Sequence, residues 1–299
     1  MTTHFADPTF ISPMVDFGFK TLFGTQRNIN LLRRLLETVF KCSIPDIRFI
    51  NIEHQGDSEE DRKAYFDVAC RSDDGHQFIV EVQLKKQEFF PERAVYYSTF
   101  PITAQAPTGR WNYSFQPVYF LGLINFDMRH LDPSRADPSQ FVHYFSILDE
   151  HTHECMTDRL RFVFVEVGRF NKPLEECDSF EDQLLYVMKN LPTFASRPKG
   201  LDDSYFDEFF EAATFASLPA EDKKSYRKTM GTVNDYLNTI DYARQEGREE
   251  GRAEGRVEGR EEGQRLALEA TARRMLADHV PMETIAKYSG LSEEQIKAL

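Results

Sequence analysis

The residues that could do chemistry fall on one predicted hairpin. In QFIVEVQLK (Gln77 to Lys85), alternation puts Phe78, Val80, Val82 and Leu84 on one face and Ile79, Glu81, Gln83 and Lys85 on the other. The preceding AYFDVACR alternates as well, with Phe66, Val68 and Cys70 on an apolar face and Tyr65, Asp67 and Arg71 opposite. The intervening Asp73-Asp74-Gly75 suits a type I turn closed by a left-handed Gly. Such a loop pairs Ser72 with His76 and, counting back, sets Asp67 opposite Glu81, with Cβ atoms roughly 5 Å apart. A two-residue loop would put the two acids on opposite faces, so this register depends on the turn. Like charges facing each other destabilise a hairpin, and a divalent cation between them removes that penalty. Mg²⁺ favours one or two carboxylates, several waters and a phosphate oxygen; there it polarises a scissile phosphate or lowers the pKa of an attacking water. A hairpin whose polar face is simply wet explains the alternation equally well. It does not explain facing acids followed by Gln and Lys on the same stripe.

The elements that must position these residues can be read outward from the hairpin. The first 25 residues look irregular around DFGFKTLFG (Asp16 to Gly24), and Ile29, Leu31, Leu32, Leu35, Leu36, Val39 and Phe40 then recur at helical spacing. IRFINI (Ile47 to Ile52) reads as a strand and EHQGDSEEDRK as a polar loop. After the hairpin a helix is expected from about Glu88 to Phe100, stopped by Pro101. PVYFLGLINF, FVHYFSIL and RLRFVFVEVGRF (Arg159 to Phe170) are further strands. Beyond Lys172 the pattern turns helical, near Phe180 to Lys189, Tyr205 to Phe215 and Glu221 to Tyr242. An α/β core followed by an α-helical region is therefore expected.

Composition narrows the functional classes. The chain has 299 residues, 26 of them Phe, enough for a sizeable core. Its longest apolar run, Pro117 to Phe126, is about half a bilayer span, so no membrane association is expected. MTTHFADPTF lacks the basic and apolar regions of a secretory signal, and Cys42, Cys70, Cys155 and Cys177 form no CxxC pair. Together these point to a cytoplasmic protein with reduced thiols. A net charge of −13 argues against a general polyanion binder but leaves room for a small metal-filled cleft that meets phosphates.

The blocks DFGFKTLFG, YFDVAC, IVEVQLKK, ERAVYYSTF and QPVYFLGLINFDM occur in an order that resembles the Rpn group. These are recombination-promoting nucleases, often labelled putative transposases, of the PD-(D/E)XK superfamily. The likeness spans roughly Asp16 to Phe170, and a tail of Glu-Gly-Arg repeats adds to it. It implies a restriction-endonuclease-like mixed sheet flanked by helices and a magnesium-dependent phosphodiesterase site acting on DNA. Asp67 matches the superfamily's central Asp, Glu81 the acid of the (D/E)XK element, and Gln83 stands where that element has Lys. Asp16 and Lys20 match an N-terminal motif, Glu37 a helix-borne acid, and Arg93 an Arg of the following helix that would meet a phosphate or form a surface ion pair. The usual Lys helps to position and deprotonate the nucleophilic water; a neutral Gln orients water without supplying charge. Lys85 would bring an ammonium from two residues on, or sit solvated at the strand end.

From Gly247 the sequence repeats GREE, GRAE, GRVE, GREE, with Gly at 247, 251, 255, 259 and 263 flanked by an Arg column and a Glu column. On a helix the five Gly cost on the order of 5 kcal/mol relative to Ala. A partner helix packed on the Gly stripe would offset this, whereas a flexible linker is the simpler alternative. The last residues read as short helices, with Ser292 and Gln295 forming a capping box. The last of them is too acidic to read a major groove. His151, His153 and Cys155 of HTHEC fit a strand-connecting loop better than a zinc site, which needs a fourth ligand.

The expected organisation is a nuclease-like core over residues 1–175, a helical region over 176–243, and a repeat helix with a small helical tail over 244–299 that joins copies into a homo-oligomer. The expected function is Mg²⁺- or Mn²⁺-dependent DNA endonuclease activity with little sequence preference, associated with recombination or mobile DNA. Asp67 and Glu81 would bind the metal, and Gln83 would orient the water. The competing expectation is a catalytically degenerate nuclease fold that serves as an oligomeric DNA- or protein-binding regulator.

Overall fold

A computed structural model of the chain describes residues 7–50, 66–106, 109–128, 137 and 139–299. The expected polar loop at 53–63, and Tyr65, lie outside the described residues. The chain divides into two units, Met1–Thr229 and Met230–Leu299.

The first unit is built on a six-stranded mixed sheet, ordered β1-β2-β3-β4-β6-β5. Its strands are β1 (Ile47–Phe49), β2 (Val68–Ser72), β3 (Gln77–Gln83), β4 (Val118–Ile124), β5 (Val142–Leu148) and β6 (Cys155–Glu166). The β1–β2, β2–β3 and β5–β6 pairs are antiparallel, while β3–β4 and β4–β6 are parallel. The parallel β3–β4 pair is joined through α3 (Phe90–Thr103), since a parallel connection needs a crossover.

The helix covers one face of the sheet. Phe90 and Ala94 pack there with Ile79, Val118, Phe120, Ile124, Phe162 and Phe164. On the other face lies α2 (Ile29–Phe40), whose Phe40 ring sits 5.6 Å from Phe78 and 5.2 Å from Tyr119. Its Leu31, Leu32, Leu35, Leu36 and Val39 are buried, as the helical spacing requires. Helices α4 (Phe180–Asn190) and α5 (Ser204–Ala213) are capped by Ser179 and Asp203, whose side chains accept from the Asp182 and Tyr205 amides.

Several expectations need correction. The segment around DFGFKTLFG is a helix, α1 (Asp16–Phe23). It has only eight residues and a Gly inside it, so its own propensity is weak; burial of Phe19, Leu22 and Phe23 holds it. Pro101 does not stop α3, which runs on to Thr103. The proline lies in the final turn, and the next turn closes through the Ala104 amide, which donates to the Phe100 carbonyl. Strand β6 begins at Cys155, four residues earlier than expected. Residues 151–154 of the HTHEC stretch lie in the β5–β6 connection, where the Asp149 carboxylate accepts from the amides of His151 and Thr152 at 2.9 and 2.7 Å, and its Cys155 opens β6.

The second unit begins within α6 (Ala220–Ala277), a single helix that includes all five repeat glycines. It ends with α7 (Met282–Ser289) and α8 (Glu293–Lys297), packed around Ala272, Ile285 and Ile296. The Ser292–Gln295 capping box is formed. Among the described residues no helix is long and apolar enough to cross a membrane.

Candidate active site

The β2–β3 register is the one that the three-residue turn implies. Val68 faces Val80, Ala69 faces Ile79, Cys70 faces Phe78 and Arg71 faces Gln77, so the ladder ends one residue short of Asp67 and Glu81. Gly75 has φ +98°, its amide donates to the Ser72 carbonyl at 2.9 Å, and the Ser72 amide donates to the His76 carbonyl at 2.9 Å. The turn chemistry of three residues thus fixes which acids meet at the far end of the hairpin.

At that end the two acids replace the ladder. Strand β2 starts only at Val68, and the chain bends at Asp67. The Asp67 carboxylate accepts from the Val82 amide at 2.7 Å, and the Asp67 amide donates to Glu81 Oε1 at 3.3 Å. The bend also turns Phe66 away from the face of Val68 and Cys70 and onto α3, 5.1 Å from the Tyr97 ring. Strict alternation placed Phe66 with Val68; it fails there because alternation holds only within a strand.

The polar face of the hairpin is not wet. The Glu81 and Asp67 side chains are 6% and 14% exposed, because α3 lies over the former and α1 reaches the latter. Lys20 on α1 contacts Asp16 at 2.5 Å and Asp67 at 3.5 Å. Arg93 on α3 donates through Nη2 to Glu81 Oε2 at 3.2 Å and to Gln83 Oε1 at 2.9 Å, and through Nη1 to Gln87 at 2.5 Å. Its guanidinium also lies 4.9 Å from the Phe90 ring centroid and 5.5 Å from that of Tyr97.

This crowding sets the electrostatics. Burial, then the charge of Asp67, pushes Glu81 up to about 8 against the opposing pull of Arg93. Burial and the hydrogen bond shared with Asp16 push Asp67 up to about 6, opposed by the Val82 amide and Lys20. For Asp16 burial also acts upward, but its bonds to Asp67 and Lys20 outweigh it and its carboxyl titrates lower than usual. Two buried acids that resist ionisation together form a site short of positive charge.

Of the residues singled out in the sequence, Asp16, Lys20, Asp67, Glu81, Gln83 and Arg93 come together. Glu37 does not join them. It accepts from the Ile44 amide at 3.0 Å and, with Asp74 of the β2–β3 turn, influences Cys42 at the opposite end of the hairpin. Lys85 lies in the bend after β3, where its carbonyl accepts from Gln83 Nε2 at 2.9 Å. The strand stops at Gln83, so alternation no longer places the Lys85 side chain on the acid face. Both atoms of the Gln83 amide group are therefore engaged, by the Lys85 carbonyl and by Arg93.

A model of the PD-(D/E)XK nuclease family transposases matches residues 13–243. The chain belongs to that family. Neither a curated protein nor a solved structure matches it. In this PD-(D/E)XK family member the matched segment covers the whole sheet and runs into α6, stopping short of the first repeat glycine, Gly247.

PD-(D/E)XK nucleases generally use divalent metals, and the donors present suit a hard cation. Among the described residues no group of three or more His, Cys, Asp and Glu side chains is arranged to hold a metal. Mg²⁺ does not require one: two carboxylates suffice where water and substrate complete the shell. The raised Asp67 and Glu81 carboxyls point the same way, because a divalent ion supplies the positive charge this pair lacks.

Proposed function

We propose that the site hydrolyses DNA phosphodiester bonds, with Asp67 and Glu81 holding Mg²⁺ or Mn²⁺. The observation that carries this reading is the pair of largely enclosed acids at the end of β2–β3, Asp67 and Glu81, joined by the bond from the Asp67 amide to Glu81, in a chain of the PD-(D/E)XK nuclease family. When bound, the ion would polarise the scissile phosphate and acidify its water. The protein's own share is positional. The Val82 amide and Lys20 fix Asp67, the Asp67 amide and Arg93 fix Glu81, and Gln83 stands beside the acids in place of the usual Lys. Hydrolysis forms a bond from the water oxygen to phosphorus and breaks the bond from phosphorus to the sugar oxygen. The water proton leaves to solvent, and the departing oxygen regains one.

Cleavage with little sequence preference is part of the proposal, as are a setting in recombination or mobile DNA and a cytoplasmic location. So is self-association through residues 244–299. The test is cleavage of supercoiled plasmid with Mg²⁺, Mn²⁺ or EDTA beside folded Asp67→Ala and Glu81→Ala proteins. We expect metal-dependent nicking or linearisation that both substitutions abolish, with losses of at least about 1,000-fold. Equal cutting by either variant would sink the assignment.

A second reading is a fold without turnover that binds DNA or protein as a regulator. The neutral Gln83 and the net charge of −13 favour it. Calorimetry separates the two: a degenerate site gives no Asp67-dependent heat with either ion.

A further inference from the structure

The neutral residue in the (D/E)XK position leaves the site needing a cation, and the geometry points to one. We propose that Arg93 supplies the charge that stabilises the phosphate in the transition state, and that Gln83 acts by positioning Arg93. This rests on the nuclease reading above.

Three observations carry it. First, both ends of the Gln83 amide are already committed to the protein: Nε2 donates to the Lys85 carbonyl and Oε1 accepts from Arg93 Nη2. The first bond fixes which way the amide points, so the oxygen is presented to the guanidinium. Second, Arg93 is held by more than its ion pair with Glu81. Gln83 and Gln87 each accept from it, and it packs against Phe90 and Tyr97. Were Glu81 to hold a metal instead, these contacts would keep the guanidinium tethered beside the acids. Third, Arg93 Nε is buried and has no hydrogen-bond partner, while a quarter of the side chain stays exposed. A buried donor without an acceptor costs about 1–3 kcal/mol, and a phosphate oxygen is the acceptor an arginine fork suits best.

The role differs in kind from that of a lysine. A guanidinium keeps its proton throughout the pH range of enzymes, so Arg93 acts only by charge and hydrogen bonding and takes no part in proton transfer. Charge developing on the non-bridging oxygens is then met by a group already oriented before reaction, the arrangement that lowers barriers most.

The test relocates the charge. Single-turnover plasmid cleavage is compared for wild type, Arg93→Met, and the double variant Arg93→Met/Gln83→Lys. We expect Arg93→Met to lose about 100-fold in rate while keeping its Mg²⁺ affinity by calorimetry within about threefold, a difference under 1 kcal/mol. The double variant should regain at least about tenfold, because its ammonium stands on the strand next to the vacated position. Wild-type rates from Arg93→Met, or no recovery in the double variant, would overturn the proposal. If Arg93→Met does not fold, Gln83→Met tests the tether while leaving the guanidinium intact. Its expected loss is about tenfold in kcat with KM unchanged, and an unaltered rate overturns the positioning role. A wild-type protein that cuts nothing removes the nuclease reading and this inference together, whereas an active enzyme indifferent to Arg93 removes this inference alone.

Discussion

At the scale of single residues, the acid pair is a conflict that folding accepts. Glu81 is buried, Asp67 is largely enclosed beside it, and both titrate above their usual range. A carboxyl whose folded pKa is raised stabilises the fold most when protonated, and that contribution is lost as pH rises through the folded value. The window here runs from about 4 to about 8, with Asp67 changing near its value of about 6 and Glu81 near about 8. The metal-free protein should therefore lose stability across this range. Asp67→Asn should flatten the profile and stabilise the metal-free protein at alkaline pH by on the order of 2–3 kcal/mol, seen as a higher melting midpoint. Mg²⁺ should stabilise the wild type and not the variant, with an affinity that climbs as pH rises because the ion competes with protons. Thermal melts with EDTA or Mg²⁺ on either side of neutrality read all of this. A variant whose pH profile matches the wild type would show that the pair is not the source of the strain.

At the scale of elements, the site depends on two short helices laid against one hairpin, and they were unequally legible in the sequence. The hairpin was readable down to its register because side-chain alternation and a three-residue turn are local rules. Arg93 was reached only through the family resemblance, since no local rule says how α3 is rotated on the sheet. The exposure of Phe89, Val95 and Tyr96 blurs its apolar stripe further. Helix α1 was hidden by its Gly18, although Asp16 and Lys20 at i and i+4 are a helical signal. Gly18 is there for packing: a Cβ on it would lie 1.9 Å from the Ser12 carbonyl oxygen. Ser12 cannot easily yield, because its amide donates to the buried Tyr226 hydroxyl at 2.9 Å. Gly18→Ala should thus push α1 outward, lower stability by roughly 2 kcal/mol or more, and withdraw Lys20 from Asp67. By contrast, Gly231→Ala on α6 meets open space and should raise stability by up to about 1 kcal/mol. Denaturant melts of the two variants make the comparison. Equal stability would mean that the close approach of α1 to Ser12 is not what positions Lys20.

At the scale of the whole molecule, the repeat is the feature that one copy of the chain does not explain. Helix α6 carries Gly247, Gly251, Gly255, Gly259 and Gly263 through a stretch whose side chains are exposed on every side, and a Cβ added at any of them meets nothing within 4 Å. An exposed helix gains little from packing, and its Arg-Arg and Glu-Glu neighbours at i and i+4 repel. A second copy changes the balance: Gly lets backbones approach, and the Arg column of one helix can face the Glu column of the other. Since the four-residue period exceeds 3.6, such a pair should coil to the right. Replacing all five Gly by Ala separates this from a solitary helix. In isolation the substitutions add helix propensity worth on the order of 5 kcal/mol, leaving association unchanged. If the stripe is the contact, five methyl groups hold the backbones apart, and the mass measured by light scattering should fall from oligomer to monomer while the protein remains folded. An oligomer that survives the five alanines would place self-association elsewhere, and a wild type that is monomeric at all concentrations would show that the repeat does not join copies. The readout extends to the chemistry. Two sites held in one assembly can cut both strands in a single encounter, so the five-alanine protein should nick plasmid at an unchanged rate and linearise it more slowly.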